Sequence, residues 1–460
     1  MSELSGYHSE WNLGSPGGWD YQRMAQVLGK MAWENIRALT RIDIELDFDH
    51  PILNPLPAFA QLLLRAHRRR AGREKPCLAL VAEKETLEKV GENIHFIDYL
   101  TRKEGVSAVL TSPERIEERG GKITCEGKKL TLIFLDFNNN VLARLRKKYN
   151  LNGLLKAIKN RMVVNPRGME PIGAKGVFEL VTGKCRDLMS DTTVLRTPWT
   201  RQFYPRSTTG PEGEKIADLV EWVRTNWENI ILKPVHGYSG KGIILGYQSK
   251  NRDRDIEQAL NSRGYIVQKL IPLSLWAEEY PWVDHEKAFI KRWQTDFRCF
   301  ITNQGLMGFV TRFGNVPTNV GSGGGVQSSA ILLSPLPVKE AVNRLNEVMV
   351  KLGHSVLSEI QSQLDRKSIE MGNVYLLGPI MTTLRPRIIT PGQVRELNHY
   401  AFNLWKDAVE LARIWEKGEI DEYVEISSDE EEIARMCPWR GEEALIASDG
   451  LFNFGGGLED

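Results

Sequence analysis

Apolar residues recur every three to four positions over residues 20–39, where Met24, Val27, Leu28, Met31 and Ile36 share one side, and over 391–415, where Val394, Leu397, Ala401, Leu404, Ala408 and Leu411 do. Both stretches predict amphipathic helices. Helices are also expected over 58–66, 84–103, 141–149, 215–228 and 338–365. Residues 296–302, Asp-Phe-Arg-Cys-Phe-Ile-Thr, alternate with a period of two. They predict a half-buried strand that carries Asp296 and Arg298 on the same face. Short apolar runs predict further strands at 77–82, 106–110, 130–136, 162–164, 230–234, 243–246, 265–272 and 306–310, with a hairpin arm at 122–125.

Between 77 and 164 the predicted strands alternate with helices, which argues a layered α/β unit with parallel pairing. That unit has no glycine loop of the phosphate-binding type. Residues 273–294 contain three tryptophans and several charges and are expected to form a lid or a substrate loop. Ser427, followed by Asp429, Glu430, Glu431 and Glu432, reads as a helix cap with acids in the first turn, where the helix dipole favours them. The basic run at residues 67–70 reads as a solvated helix end.

The chain of 460 residues is long enough for two or three domains. Charged residues make up 26% and the formal net charge is +1, so composition points to neither nucleic acid nor a membrane surface as partner. No apolar run reaches membrane-spanning length. The first residues lack the charged start and apolar core of a signal peptide. Five scattered cysteines, with no Cys-x-x-Cys pair, suit a reducing compartment. The expected location is the cytoplasm. The oligomeric state is unknown.

Chemistry concentrates in two places. The run from residue 230 to 246 is a strand ending in Lys233, then His236-Gly237-Tyr238-Ser239-Gly240-Lys241-Gly242, then a second strand. Glycines in such a turn let amides converge on an anion, and Lys233 adds a point charge. A tight hairpin with glycines for geometry reads equally well. A strand with Gln268 and Lys269 follows, then the strand with Asp296 and Arg298, then Thr311-Arg312, and then Asn319 before the glycines at 321 and 323–325. The second place is Glu10-Trp11-Asn12, followed by Ser15-Pro16-Gly17-Gly18. A carboxylate and an amide oxygen two residues apart share one face of a strand and suit a hard cation.

This ordered set resembles the nucleotide-binding core of the ATP-grasp ligases. Glu10-x-Asn12 with Ser-Pro-Gly-Gly is similar to the circularly permuted branch, which includes glutathionylspermidine synthetase-like proteins. The resemblance implies an α/β (α+β) fold: an ATP-grasp core, a preceding α/β substrate domain and a helical C-terminal segment. It implies a metal-ligand strand and helix at 1–40, the substrate domain at 41–165, the nucleotide core at 166–335, and helices plus a completing strand at 336–460. It implies ATP and Mg²⁺ as cofactors and a small-molecule or peptide carboxylate and amine as substrates.

By the same resemblance, Lys233 and a helical Lys175 hold phosphates, Gly237 to Gly242 close as a flap, and His236 beside them is also cofactor-binding. Gln268, Lys269, Leu270 and Ile271 form the hinge that meets adenine. Arg312, Arg298 and Asn319 are the catalytic set. Glu10 and Asn12 hold the metal. Asp449 is the possible third ligand, in a last strand that lies beside the first. The family has an arginine two residues before that aspartate, where this chain has Ala447. The activity implied is formation of an amide through an acyl phosphate. Phosphorylation of a small molecule, and a degenerate nucleotide-binding scaffold, stay open as alternatives.

Overall fold

The computed structural model describes residues 5–237, 242–262, 264–316, 318–375 and 378–453. Tyr238, Ser239, Gly240 and Lys241 of the expected flap lie outside the described residues. The chain forms a mixed α/β structure around an antiparallel sheet. In order, its strands are Ser5–Asn12, Ile446–Asn453, Ala288–Thr302, Gly305–Gly314 and Gly325–Gln327, and Ala277–Val283 also pairs with the long strand Ala288–Thr302. The strand Ser5–Asn12 thus runs antiparallel to Ile446–Asn453, and Glu10 stands opposite Asp449.

Alternation sets what each face of this sheet meets. Phe297, Cys299 and Ile301 point to one side, into a core with Trp11, Phe309 and the apolar stripe Leu397, Tyr400, Leu404, Ala408 and Leu411 of the helix Pro391–Glu416. Phe300 and Val310 point to the other side, against Trp19, Met24, Phe59 and Leu63 of the helices Trp19–Thr40 and Pro55–Ala71. Strand periodicity puts Asp296, Arg298 and Arg312 on this second side, and it is here that the sheet carries its charge.

Two further layers flank the central sheet. A four-stranded antiparallel sheet runs Thr200–Gln202, Tyr265–Lys269, Ile230–Pro234, Ile244–Leu245, over the helices Leu219–Thr225 and Arg252–Ser262. A parallel sheet runs Ser107–Thr111, Cys77–Val81, Leu132–Leu135, Val163–Val164. The helix Gly91–Arg102 lies on it, and loops leave the carboxyl ends of its strands toward the central sheet.

Several expectations are corrected. Residues 273–294 form no lid or loop. A short turn Leu273–Trp276 leads into Ala277–Val283, which hairpins onto Ala288–Thr302. Asp284 closes the hairpin by accepting the amides of Glu286 and Lys287, each at 2.9 Å. Buried Glu278 pins it through Arg385 (2.6 Å) and Arg387. The helix expected over 215–228 is only Leu219–Thr225, because Asp218 caps it by accepting from Val220 at 2.8 Å, a stop worth about 1 kcal/mol. The segment expected helical over 84–103 splits into a turn at Lys84–Thr86 and the helix Gly91–Arg102. The long helix expected from 338 continues to Glu370 but breaks at Gly353, whose φ of 82° no L side chain adopts easily. The strand expected at 306–310 runs Gly305–Gly314, so Thr311 and Arg312 lie within it.

Candidate functional site

Two cavities, each of about 260 Å³, open on the charged side of the central sheet, and Glu10, Arg312 and Asn319 line both. The first lies between the antiparallel sheets. Ile231, Leu245, Leu273 and Trp276 give it apolar walls, and Lys175, Lys233 and residues 268–271 face it too. Lys233 is buried at the end of its strand and donates to Gln268 Oε1 at 2.7 Å, while Gln268 Nε2 donates to Thr200 Oγ1 at 2.9 Å. Burial lowers the Lys233 ammonium from its usual value to about 8, partly offset by Glu10.

Lys175 sits in a turn ahead of the short helix Val177–Val181, not on a helix as expected, since Ala174 is still extended. It is nonetheless buried, and its Nζ reaches Gly237 O at 3.0 Å and Glu10 Oε2 at 3.4 Å. It therefore ties one wall of the cleft to the glycine turn. Gly242 takes a φ of 76°, and a Cβ there would approach Pro234 Cγ to 2.9 Å.

Three expected contacts to a nucleotide fall elsewhere. His236 Nε2 bonds Val424 O at 2.5 Å and lines a smaller neighbouring cavity instead. Burial lowers its pKa, so it is a neutral partner to that carbonyl. The Lys269 side chain turns outward to Glu212 at 3.0 Å. In the expected hinge, the amides of Lys269 and Leu270 are already committed to the carbonyls of Trp199 (2.9 Å) and Asn229 (2.8 Å).

Where the cavities meet, four buried charges neutralise one another. Arg298 donates from Nε (2.6 Å) and Nη2 (2.9 Å) to the two oxygens of Asp449, and from Nη1 to Gly17 O at 3.0 Å. Arg312 binds Asp296 through Nε at 2.8 Å and also through Nη2, which reaches Asp449 at 3.1 Å as well. Burial would raise the Asp449 carboxyl, but the two guanidiniums outweigh it and hold it well below the usual carboxylate range. Such a network is held by mutual geometry, since any one member removed leaves its partners buried and unpaired. Arg312 Nη1 alone makes no hydrogen bond among the described residues. Asn319 Oδ1 accepts from Gly321 at 2.7 Å and so shapes the turn Val320–Ser322 at the junction.

The residues expected to hold a metal differ in fit. Among the described residues, no three acidic, histidine or cysteine side chains converge as a metal site. Glu10 lines both cavities, and the side-chain nitrogen of Asn12 is buried with no partner. These two supply oxygens suited to a hard cation that takes its remaining donors from phosphates and water. Asp449 fits poorly, because both of its oxygens are engaged by arginines.

The second cavity reaches toward the parallel sheet. Tyr21, Glu83, Glu92, Asp136, Asn138, Arg298 and Tyr375 are among its walls. Apart from Arg298, these were not singled out from the sequence. A signal existed: Glu83 directly follows the predicted strand 77–82 and Asp136 ends the predicted strand 130–136, and ligands in α/β sheets sit beyond the carboxyl ends of strands.

No family model matches the chain, and no curated protein matches it. Among solved structures, the "Putative gamma-glutamylcysteine synthetase" of Methylobacillus flagellatus KT is 11% identical. That match covers 78% of this chain and 100% of the other, with a TM-score of 0.29, a likeness too slight to set fold or function.

Proposed function

We propose that this protein is an ATP-dependent carboxylate–amine ligase of the circularly permuted ATP-grasp kind. The observation that carries the reading is the pair of cavities joined at Glu10, Arg312 and Asn319. One has apolar walls for a flat base and two lysines for phosphates. The other is polar and of a size for a small organic substrate. A phosphoryl group delivered from the first would meet an acceptor in the second at Arg312 Nη1, which makes no hydrogen bond among the described residues.

In this scheme Lys233 and Lys175 neutralise the phosphates and Gly237 and Gly242 frame the turn over them. Adenine is held by the apolar walls and by the 268–271 segment without the Lys269 and Leu270 amides. Glu10 and Asn12 would hold Mg²⁺, whose charge when bound would offset that of the phosphates. A substrate carboxylate attacks the γ-phosphorus, ADP leaves, and the acyl phosphate is stabilised by Arg312. An amine then attacks the acyl carbon, the C–O bond to phosphate breaks and an amide forms. Asp296, Asp449 and Arg298 fix the direction of Arg312 and act through it.

The test is calorimetric titration of the protein with ATP, with and without Mg²⁺, for wild type and Lys233→Ala. Metal-dependent binding that the substitution weakens at least tenfold is expected. Phosphate release that requires both a carboxylate and an amine then separates a ligase from a kinase, which needs no amine. Failure of folded wild-type protein to bind ATP would overturn the reading.

A further inference from the structure

The second cavity is acidic, and no cation among the described residues pairs with its Glu92 or Asp136. Arg298 and Arg312 face it but are already matched by Asp449 and Asp296. Glu83 pairs with Arg144. Glu92 and Asp136, both lining the cavity, form no ion pair with any lysine, arginine or histidine among the described residues. Asp136 is held by two neutral donors, Ser15 Oγ at 3.2 Å on one oxygen and Asn93 Nδ2 at 2.6 Å on the other. Glu92 accepts the amides of Gly18 and Asp20 at 2.8–3.0 Å. Both carboxyls are therefore fixed in place, with lone pairs left over.

An independent feature points to a ligand. Tyr21 lines the same cavity, is only 4% exposed, and its buried hydroxyl makes no hydrogen bond of good geometry among the described residues. A buried hydroxyl left unpaired costs about 1–3 kcal/mol. A ligand group with N–H bonds would satisfy it, since the phenol oxygen accepts.

We infer that this cavity binds the organic substrate through a cationic amine, with the ammonium seated between Asp136, Glu92 and the Tyr21 hydroxyl. The inference rests on the ligase reading for the word substrate, and on the cavity alone for the ammonium. Acids that share no converging metal geometry but face one polar space suit a group that donates three hydrogen bonds in three directions.

The protonation chemistry agrees. Burial raises Asp136 to about 6, with Glu83 adding to the rise, and raises Glu92 to about 8, with Asp20 and Asp136 adding. Burial also raises the phenols of Tyr21 and Tyr375, and Glu92 and Asp136 add to both. Arg298 is the opposing charge within range of Tyr375. A bound ammonium favours the ionised carboxylates, so binding releases about one proton at neutral pH, mostly from Glu92.

The test needs no nucleotide. Calorimetry of the full chain with propylamine and ethylenediamine, and with propanol and ethylene glycol as neutral controls, is run in two buffers of different ionisation heat. The amines are expected to bind with proton release and the alcohols not to bind. Asp136→Asn is expected to weaken amine binding at least tenfold. If that variant does not fold, Tyr21→Phe and the half-exposed Glu83→Gln decide, each expected to weaken binding about threefold. Alcohols binding as well as amines, amine affinity unchanged in the folded variants, or no amine binding to wild type would each overturn the inference. ATP binding in a parallel titration separates that failure from failure of the ligase reading.

Discussion

The two cavities have the same volume and share three side chains, yet the chain builds them in opposite electrostatic senses. The lysine-lined cavity is walled by antiparallel strands and holds a buried ammonium, Lys233, whose nearest partner is a neutral amide. The acid-lined cavity is walled by segments beyond the ends of parallel strands and holds a buried carboxyl, Glu92, and a half-buried one, Asp136, whose partners are neutral donors. Burial drives Lys233 down and Glu92 and Asp136 up. Each shift is one that a ligand of opposite charge would reverse. Between them, Asp296, Arg312, Asp449 and Arg298 are matched among themselves. Buried charge left unmatched marks where a ligand is wanted, and buried charge that is matched marks the frame.

The frame is the first place to break this comparison. Asp449→Ala leaves Arg298 without its carboxylate and removes one of the two on Arg312. Truncating one partner of a buried pair costs about 3–5 kcal/mol. Urea denaturation should show a loss of that size, and both cavities should lose their ligands together. A loss below about 1 kcal/mol would mean that the two arginines are not held as a frame, and that Asp449 is free for another role such as metal ligation.

Lys233→Ala sharpens the comparison by acting on one cavity only. A charge-assisted contact to phosphate is worth about 1.5–3 kcal/mol, so the Kd for ATP should rise about ten- to a hundredfold. Amine binding should change by less than about twofold, since Lys233 touches none of Asp136, Glu92 and Tyr21 and distant sites behave additively. Equal losses in both titrations would show that the cavities are one site.

The same contrast explains what the sequence discloses. Lys233, Gln268, Asp296, Arg298 and Arg312 lie on strands, where alternation of apolar and polar residues fixes the face that each side chain takes. Their order along the chain therefore carries their grouping. The acid-lined cavity draws Tyr21 from a helix, Glu83 and Asp136 from strand ends, and Tyr375 from a short two-residue strand. No local period links positions so far apart, and only the tertiary fold brings them together. His236 misleads for a related reason. It sits in the glycine-spaced segment by sequence, but Val424, the last residue of the helix Asp421–Val424, offers a carbonyl that draws the ring away from the cleft. The tryptophans of 273–294 suggested a loop over substrate. In fact Trp282 and Trp293 pack on Phe313 at 6.3 and 5.9 Å between ring centres, which makes them a small core of their own.

The smallest expected effect is the most discriminating, because it has opposite signs in the two cavities. Lys233 titrates near 8 in the free protein, and bound phosphate favours its charged form. ATP binding therefore takes up a proton once the pH exceeds about 8, and affinity should fall toward tenfold per pH unit above that point. Below about 8 the lysine is already charged and this dependence disappears. The carboxyls work the other way. Amine binding needs them ionised, so affinity should rise as the pH climbs through about 6 for Asp136 and again through about 8 for Glu92. Titrating ATP at about pH 7.5 and 9 and propylamine at about pH 5.5, 7 and 9, values chosen to bracket those midpoints, checks both slopes. Lys233→Ala should abolish the first slope and leave the second. A fall in amine affinity with rising pH would remove the acids from the site, because a cation cannot bind less tightly to carboxylates that are losing their protons.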